Sequence, residues 1–153
     1  MRIRDAAEGD AEALVRLLAQ LGYPADSEAI SRRLTILERS AADRLFVAEV
    51  DGEVVGLAGL HVSPSVEYDE SAGKVSAIVV DQRHRGRGVG QALIDAVEAE
   101  ARARGCVLLF LTTAHRREDA HEFYRRIGFE ETGLRFAKRL DSVSSAAEPQ
   151  SFG

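Results

Sequence analysis

The chain lacks a second cysteine: Cys106 is the only one in 153 residues. An internal disulfide is excluded, and a reducing cytosol is the default compartment. Cys106 opens the apolar run "CVLLFLTT", where a buried structural thiol is the expected state. The chain also lacks a surplus of positive charge. Lys+Arg 20 stand against Asp+Glu 25, a net charge of -5, which argues against a nucleic-acid partner, because phosphate contacts need a basic surface. No apolar run reaches the ~18 residues of a membrane span. The N-terminus "MRIRDAAEGD" has no apolar signal core. These absences predict a cytoplasmic protein with no membrane partner. The four histidines and the cysteine show no ligand spacing, so no metal is expected.

What is present suits one globular domain: 45% hydrophobic and 29% charged residues. "MRIRDA" reads as a first strand. Asp10 is placed to cap a helix whose Leu14, Leu17, Leu18 and Leu21 share a face, and Gly22 closes it. Asp26 or Ser27 opens a second helix carrying Ile30, Leu34 and Leu37. "RLFVAEV" and "EVVGLAGLHV" form a hairpin across Asp51-Gly52, a dipeptide suited to tight turns. An acidic loop, "SPSVEYDESAG", leads to "KVSAIVV", a strand expected to be buried on both faces.

A helix with Val89, Leu93, Ala96, Val97 and Ala101 on one stripe then links this strand to "CVLLFLTT", another buried strand. Strand, helix, strand at this spacing predicts a right-handed crossover between parallel strands. A last helix spans about residues 117–127, and "FEET" with "LRFAKRL" predicts a terminal strand pair. The fold class is α/β with a mixed sheet: a domain over residues 1–140 and a disordered tail over 141–153.

The most informative stretch is "VVDQRHRGRGVGQALIDAVE". A strand ends, Gly86, Gly88 and Gly90 alternate with Arg87 and Val89, and a helix begins at once. Helix starts offer free N–H groups and partial positive charge. Glycine lets backbone approach a ligand closely, Arg85 and Arg87 add full charges, and Gln91 extends the row of donors. The stretch reads as a cradle for a diphosphate. A dinucleotide fingerprint would need glycine where Gln91 stands, and a Walker loop needs Gly-Lys-Ser/Thr, which is absent.

The pattern that fits is R-x-x-G-x-G, from Arg85 to Gly90, after a strand ending "IVVD". With "AHEFYRRIGF" one helix and one strand later, the chain resembles the GNAT superfamily of acetyl-CoA-dependent N-acetyltransferases over about residues 1–140. The resemblance implies a mostly antiparallel sheet with helices on both faces. It also implies a parallel pair of strands, the fourth and fifth, that splay around acetyl-CoA. Ile78, Val79 and Val80 would line the pantetheine through their backbone, and Arg85, Gly86, Arg87, Gly88, Val89, Gly90 and Gln91 would hold the pyrophosphate. Tyr124 would support the departing thiolate. A phenol with a pKa of ~10 facing a thiol of ~8.5 makes full proton transfer uphill by about 2 kcal/mol, so a strengthening hydrogen bond describes that role better.

The family reaction is direct attack of a neutral amine on the thioester, which calls for a base. Many relatives carry a strand glutamate for that task. Here the fourth strand offers Lys74 and Ser76, the fifth Thr112 and Thr113, and Arg117 stands where asparagine is common. Candidate bases are His61 and His115, with Glu49 a weaker one. Glu67, Asp69 and Glu70, with Tyr68 among them, are candidates to bind a cationic substrate, against a simply solvated loop. The expected acceptor is a small-molecule amine, aminoglycoside-, polyamine- or amino-sugar-like. A protein N-terminus or lysine, an amino acid, and a non-catalytic acyl-CoA-binding module are the alternatives. Relatives are often homodimers.

Overall fold

The computed structural model describes residues 1–113 and 118–141. Strand β1 (Arg2–Asp5) is followed by a 3-10 turn (Glu8–Asp10) and helices α1 (Ala11–Leu21) and α2 (Ser27–Arg39). Strands β2 (Asp43–Val50), β3 (Glu53–Ser63) and β4 (Ser71–Val80) come next. After a second 3-10 turn (Gln82–His84), α3 (Val89–Ala103), β5 (Cys106–Phe110) and α4 (Glu118–Arg126) complete the order. The strands lie in sequence order, β1 to β4 antiparallel and β4–β5 parallel across the α3 crossover. Asp51 and Gly52, both at positive φ (50° and 79°), make the β2–β3 turn, as the sequence predicts.

Each face of the sheet buries one cluster. Leu14, Leu17 and Leu21 of α1 with Ile30 of α2 pack on Val47, Val54, Leu57 and Val79. On the other face Val89, Leu93, Ile94, Val97 and Ala101 of α3 pack on Phe46, Ala48, Val55, Ala58, Leu60 and Val75. Burying each such side chain contributes about 1.5–3 kcal/mol. Arg44 of β2 ties the second layer down by pairing with Asp5 of β1 and Glu100 of α3.

Four expectations need correction. Asp10 stands at the start of α1 but does not cap it; its carboxylate turns back to Arg4 (2.8 Å) and the Ala7 N–H (2.8 Å). Asp26 does cap α2, accepting from the Ala29 N–H at 2.8 Å. β4 begins at Ser71, three residues before Lys74. Ala72 and Gly73 are buried there, and Gly73 leaves no room for a side chain: a Cβ would lie 3.2 Å from Leu60 and 3.4 Å from Ala101. β5 is not fully buried, with Val107 54% and Leu108 45% exposed and Cys106 only half-buried. It is the sheet's last strand, and the predicted terminal pair does not form: residues 129–140 have no regular structure, and Leu134, Phe136 and Leu140 are exposed. Among the described residues, no strand pairs with the far edge of β5. Most of the expected tail, residues 142–153, lies outside the described residues.

Gly56 on β3 sets how closely α3 approaches the sheet. A Cβ there would meet Leu93 at 3.0 Å, Val89 at 3.2 Å and the Val79 carbonyl at 3.2 Å. Two of those neighbours are packed side chains and one is backbone, so little can give. Gly56→Val is expected to destabilise the protein by about 1–3 kcal/mol, read as a lower midpoint in urea; an unchanged midpoint would show that α3 can shift freely.

Candidate functional site

The parallel pair opens. β4 and β5 are paired from Ser71↔Cys106 to Lys74↔Phe110, and there the ladder ends although β4 runs on to Val80. Val75 to Val80 keep β3 on one side and, among the described residues, have no strand on the other. A bulge sits at the head of this open edge. Gly59 pairs with Ala77 and Leu60 with Val75, which leaves Ser76 as the extra residue. The Ser76 hydroxyl lies over Gly59, filling the place a Cβ would take. Ile78 and Val80 are half-buried against the α3 cluster and Val79 is buried against α1.

Directly after β4 the chain makes the predicted turn. Gly86 (φ 76°) and Gly88 (φ 83°) both adopt left-handed backbone, and no atom lies within 4 Å of where a Cβ would project from either. Gly88 stands at the start of α3, and no side chain caps it. The first-turn N–H groups of Val89, Gly90 and Gln91 have no helical acceptor, as at any helix start. Arg85 and Arg87 are exposed beside them. Arg85 Nε donates to the Val80 carbonyl at 3.0 Å, folding its guanidinium back over the end of β4. The Gln91 side chain donates instead to Asp95 at 2.8 Å, so only its backbone N–H remains in the row of donors. Gly90 faces α4, where a Cβ would lie 3.2 Å from Phe123.

The carboxylate of Asp81, a residue the sequence reading left aside, organises the turn. Asp81 is 2% exposed and accepts from the Arg83 N–H (2.9 Å) and Nε (3.2 Å). Hydrogen bonds from the Arg83 side chain and backbone, against the cost of burial, hold its pKa down at about 2. Its position at a strand end before a glycine turn was the only sequence signal. His84 follows, with Nδ1 buried and no partner among the described residues.

Tyr124 on α4 is buried at 9% exposure, with edge-to-face contacts to Phe123 (5.4 Å) and Phe129 (5.9 Å). These two rings fix its plane. Together with Thr112, Thr113, His121 and Leu109 it lines an open space of about 1180 Å³ beyond β5. Residues 127–135 also border it, and no residue of β4 does.

His61 faces the α1–α2 side at the closed end of the splay, directly across from Lys74 on β4 and from Asp43 on β2. Its Nδ1 is 2.9 Å from Asp43 Oδ1, and Ser40 donates to the other oxygen at 2.6 Å. Burial works to raise the Asp43 carboxyl, but the bonds from Ser40 and His61 outweigh it and leave it below the ordinary range. Burial pushes the Lys74 ammonium below its usual value, and Arg135 adds to that. Asp43 and Ser40 were missed because they meet His61 only through strand register. Glu67, Asp69 and Glu70 are exposed in the loop before β4, and of that group only Tyr68 borders the large space. Glu49 is engaged by Arg4 at 3.0 Å. His115 and Arg117 lie outside the described residues. Among those residues no three His, Cys, Asp or Glu gather as a metal site, and no helix is long and apolar enough to cross a membrane.

Residues 11–129 match the acetyltransferase (GNAT) family. The chain is 38% identical over 90 residues to the aminoalkylphosphonate N-acetyltransferase of Salmonella typhimurium, covering 59% of this chain and 58% of that one. Two other relatives are spanned over only 46% and 25% of their length. It is 35% identical over 134 residues to the aminoglycoside N(6')-acetyltransferase type 1 of Stenotrophomonas maltophilia, covering 85% and 86% of the two chains. Among solved structures, a transcriptional regulator from Bacillus halodurans superposes with a TM-score of 0.80 at 28% identity, over 90% of this chain and 99% of that one.

The low pKa of Asp81 has a sign. A carboxylate held near 2, against about 3.9 when unfolded, contributes its full stability above pH ~4 and loses it as pH falls toward 2. Asp5, Asp10, Asp43 and Glu100 are shifted the same way. The melting temperature is expected to fall between pH 4 and 2, and Asp81→Asn to start lower at pH 7 and fall less steeply. Parallel curves for the two proteins would contradict the role given to this carboxylate.

Proposed function

The chain belongs to the acetyltransferase (GNAT) family, and from that premise we propose that it moves an acetyl group from acetyl-CoA to the primary amine of a small molecule. The observation that carries this reading is the sequence of features along one strand. β4 has an open edge from Val75 to Val80 and ends in an uncapped helix start led by two left-handed glycines.

The site suits the coenzyme at both ends. The N–H groups of Val89, Gly90 and Gln91 bind the linked phosphates, the empty space beside Gly86 and Gly88 admits them, and Arg85 and Arg87 neutralise their charge. From Ser76 to Val80 the open edge offers five residues, about 17 Å of strand. An extended pantetheine arm is of similar length. Ile78 and the Val80 N–H turn their backbone to it, while Val79 between them lines the arm with its own backbone groups directed at β3 and the Val80 carbonyl accepts from Arg85. Bound there, acetyl-CoA supplies a thioester whose carbonyl carbon accepts the amine nitrogen and whose C–S bond then breaks.

Residues of this chain handle the protons. Asp43, ionised, accepts the Nδ1 proton of His61 and leaves Nε2 as the acceptor for the proton lost by the amine. Tyr124 donates a hydrogen bond to the sulfur as it gains charge, and its neighbours Phe123 and Phe129 hold the ring. The amine approaches from the side of His61 and of the loop bearing Glu67, Asp69 and Glu70, whose negative charge favours a cationic acceptor. Two relatives carry names of small amines, an aminoalkylphosphonate and an aminoglycoside, which supports a small acceptor over a protein.

Gly88→Val places a β-branched side chain at φ 83° in the path of the phosphates. It is expected to abolish CoA binding in calorimetry while the circular dichroism spectrum is kept; unchanged affinity would remove the cradle from the account. Tyr124→Phe is expected to lower kcat by about tenfold or more with little change in CoA affinity. Equal kcat would take Tyr124 out of the mechanism.

A further inference from the structure

The phosphate cradle is flexible by composition. The space where a Cβ would project from Gly86 or Gly88 is empty, so side-chain packing does not brace the loop on that side. On its far side it is anchored by Val89, buried at 3% exposure, and by Gly90 against Phe123. On its near side it continues from the Asp81–Arg85 turn. That turn is gripped by a residue 61 positions away in sequence.

Gln20, in the last turn of α1, reaches the turn with both ends of its amide. Its oxygen accepts from the Gln82 N–H at 3.0 Å, and its nitrogen donates to Asp81 Oδ2 at 3.5 Å. Asp81 in turn donates its own N–H to the Val55 carbonyl at 2.8 Å and accepts the His84 N–H on its carbonyl at 2.8 Å. Arg83 closes the circuit. Its guanidinium is held by Asp81 and by Glu53 (3.0 Å), and Glu53 also meets Arg16 of α1 at 3.5 Å. Two side chains of α1, one turn apart, therefore bear on the turn that presents the cradle. Arg83 is committed to carboxylates, unlike Arg85 and Arg87.

We infer that Gln20 and Asp81 are positioning residues for the coenzyme: the end of α1 sets the pose of the turn from which the diphosphate-binding amides hang. This rests on the proposed role of Gly86 to Gln91 in holding the diphosphate. The physical reason is pre-organisation. A glycine loop that must be ordered at the moment of binding lowers apparent affinity by the fraction of time it spends in the competent pose. The Gln20 amide supplies order at no cost to the core, because its side chain is exposed and packs under nothing.

That exposure makes the test clean. CoA is titrated calorimetrically into the full chain, comparing wild type, Gln20→Ala, Asp81→Asn and Gly88→Val, with melting temperatures measured alongside. Gln20→Ala is expected to weaken CoA binding about 3- to 10-fold while its melting temperature stays within about 2 °C of wild type. Asp81→Asn, which removes a buried charge, is expected to weaken binding at least as much and also to lower the melting temperature. Wild-type affinity in Gln20→Ala overturns the inference, whatever its stability. A lower melting temperature with unchanged affinity would show a purely structural contact and overturns it equally. Should Gly88→Val bind CoA normally, the diphosphate reading itself fails; should that variant lose binding while Gln20→Ala keeps it, the positioning role alone fails.

Discussion

Among the described residues, β4 beyond Lys74 has a strand partner on one side only. Its antiparallel pairing with β3 continues to Val80 while its parallel pairing with β5 stops at Phe110. Strand edges inside a protein need partners for their N–H and C=O groups, so an edge left open next to a layer of core is a site for something extended. The α3 crossover forces the parallel arrangement and places the start of α3 in line with the end of β4. The small residues of this region follow from that constraint. Gly56 lets α3 approach, Gly59 makes room for Ser76 at the bulge, and Gly90 makes room for Phe123 of α4.

Charge is distributed with a division of labour along the same line. Arg83 neutralises the buried Asp81 and so stabilises the turn, whereas the guanidinium of Arg87 and the flank of Arg85 remain exposed at the helix start. At the other end of the open edge the charges change sign and purpose. Asp43 holds His61, and Lys74 lies directly across the strand from it. The proposed diphosphate end and the proposed proton-handling end are thus separated by the length of one half-strand.

Much of this was legible in sequence because it is local. The Asp51-Gly52 hairpin, the stripe from Val89 to Ala101 and the glycine turn each depend on neighbours within a few residues, and all three are found where they were expected. What escaped depends on register between distant strands. Asp43 and His61 are 18 residues apart and meet across β2 and β3; Gln20 and Asp81 are 61 apart and meet where α1 crosses the sheet. Apolar composition misled at β5, since "CVLLF" reads as a buried strand yet lies at the sheet edge with Val107 and Leu108 exposed. The alternation in "LRFAKRL" suggested a strand, but alternation without a pairing partner leaves residues 134–140 irregular.

The open edge of β4 and the amides at the start of α3 are proposed to receive one coenzyme together. A crystal structure of the protein with CoA tests it most directly. Expected there are diphosphate oxygens within hydrogen-bonding distance, about 3 Å, of the N–H groups of Val89 to Gln91, the pantetheine paired along Ile78 to Val80, and the sulfur within reach of the Tyr124 hydroxyl. CoA bound in the space beyond β5, with the gap between β4 and β5 left empty, would contradict it.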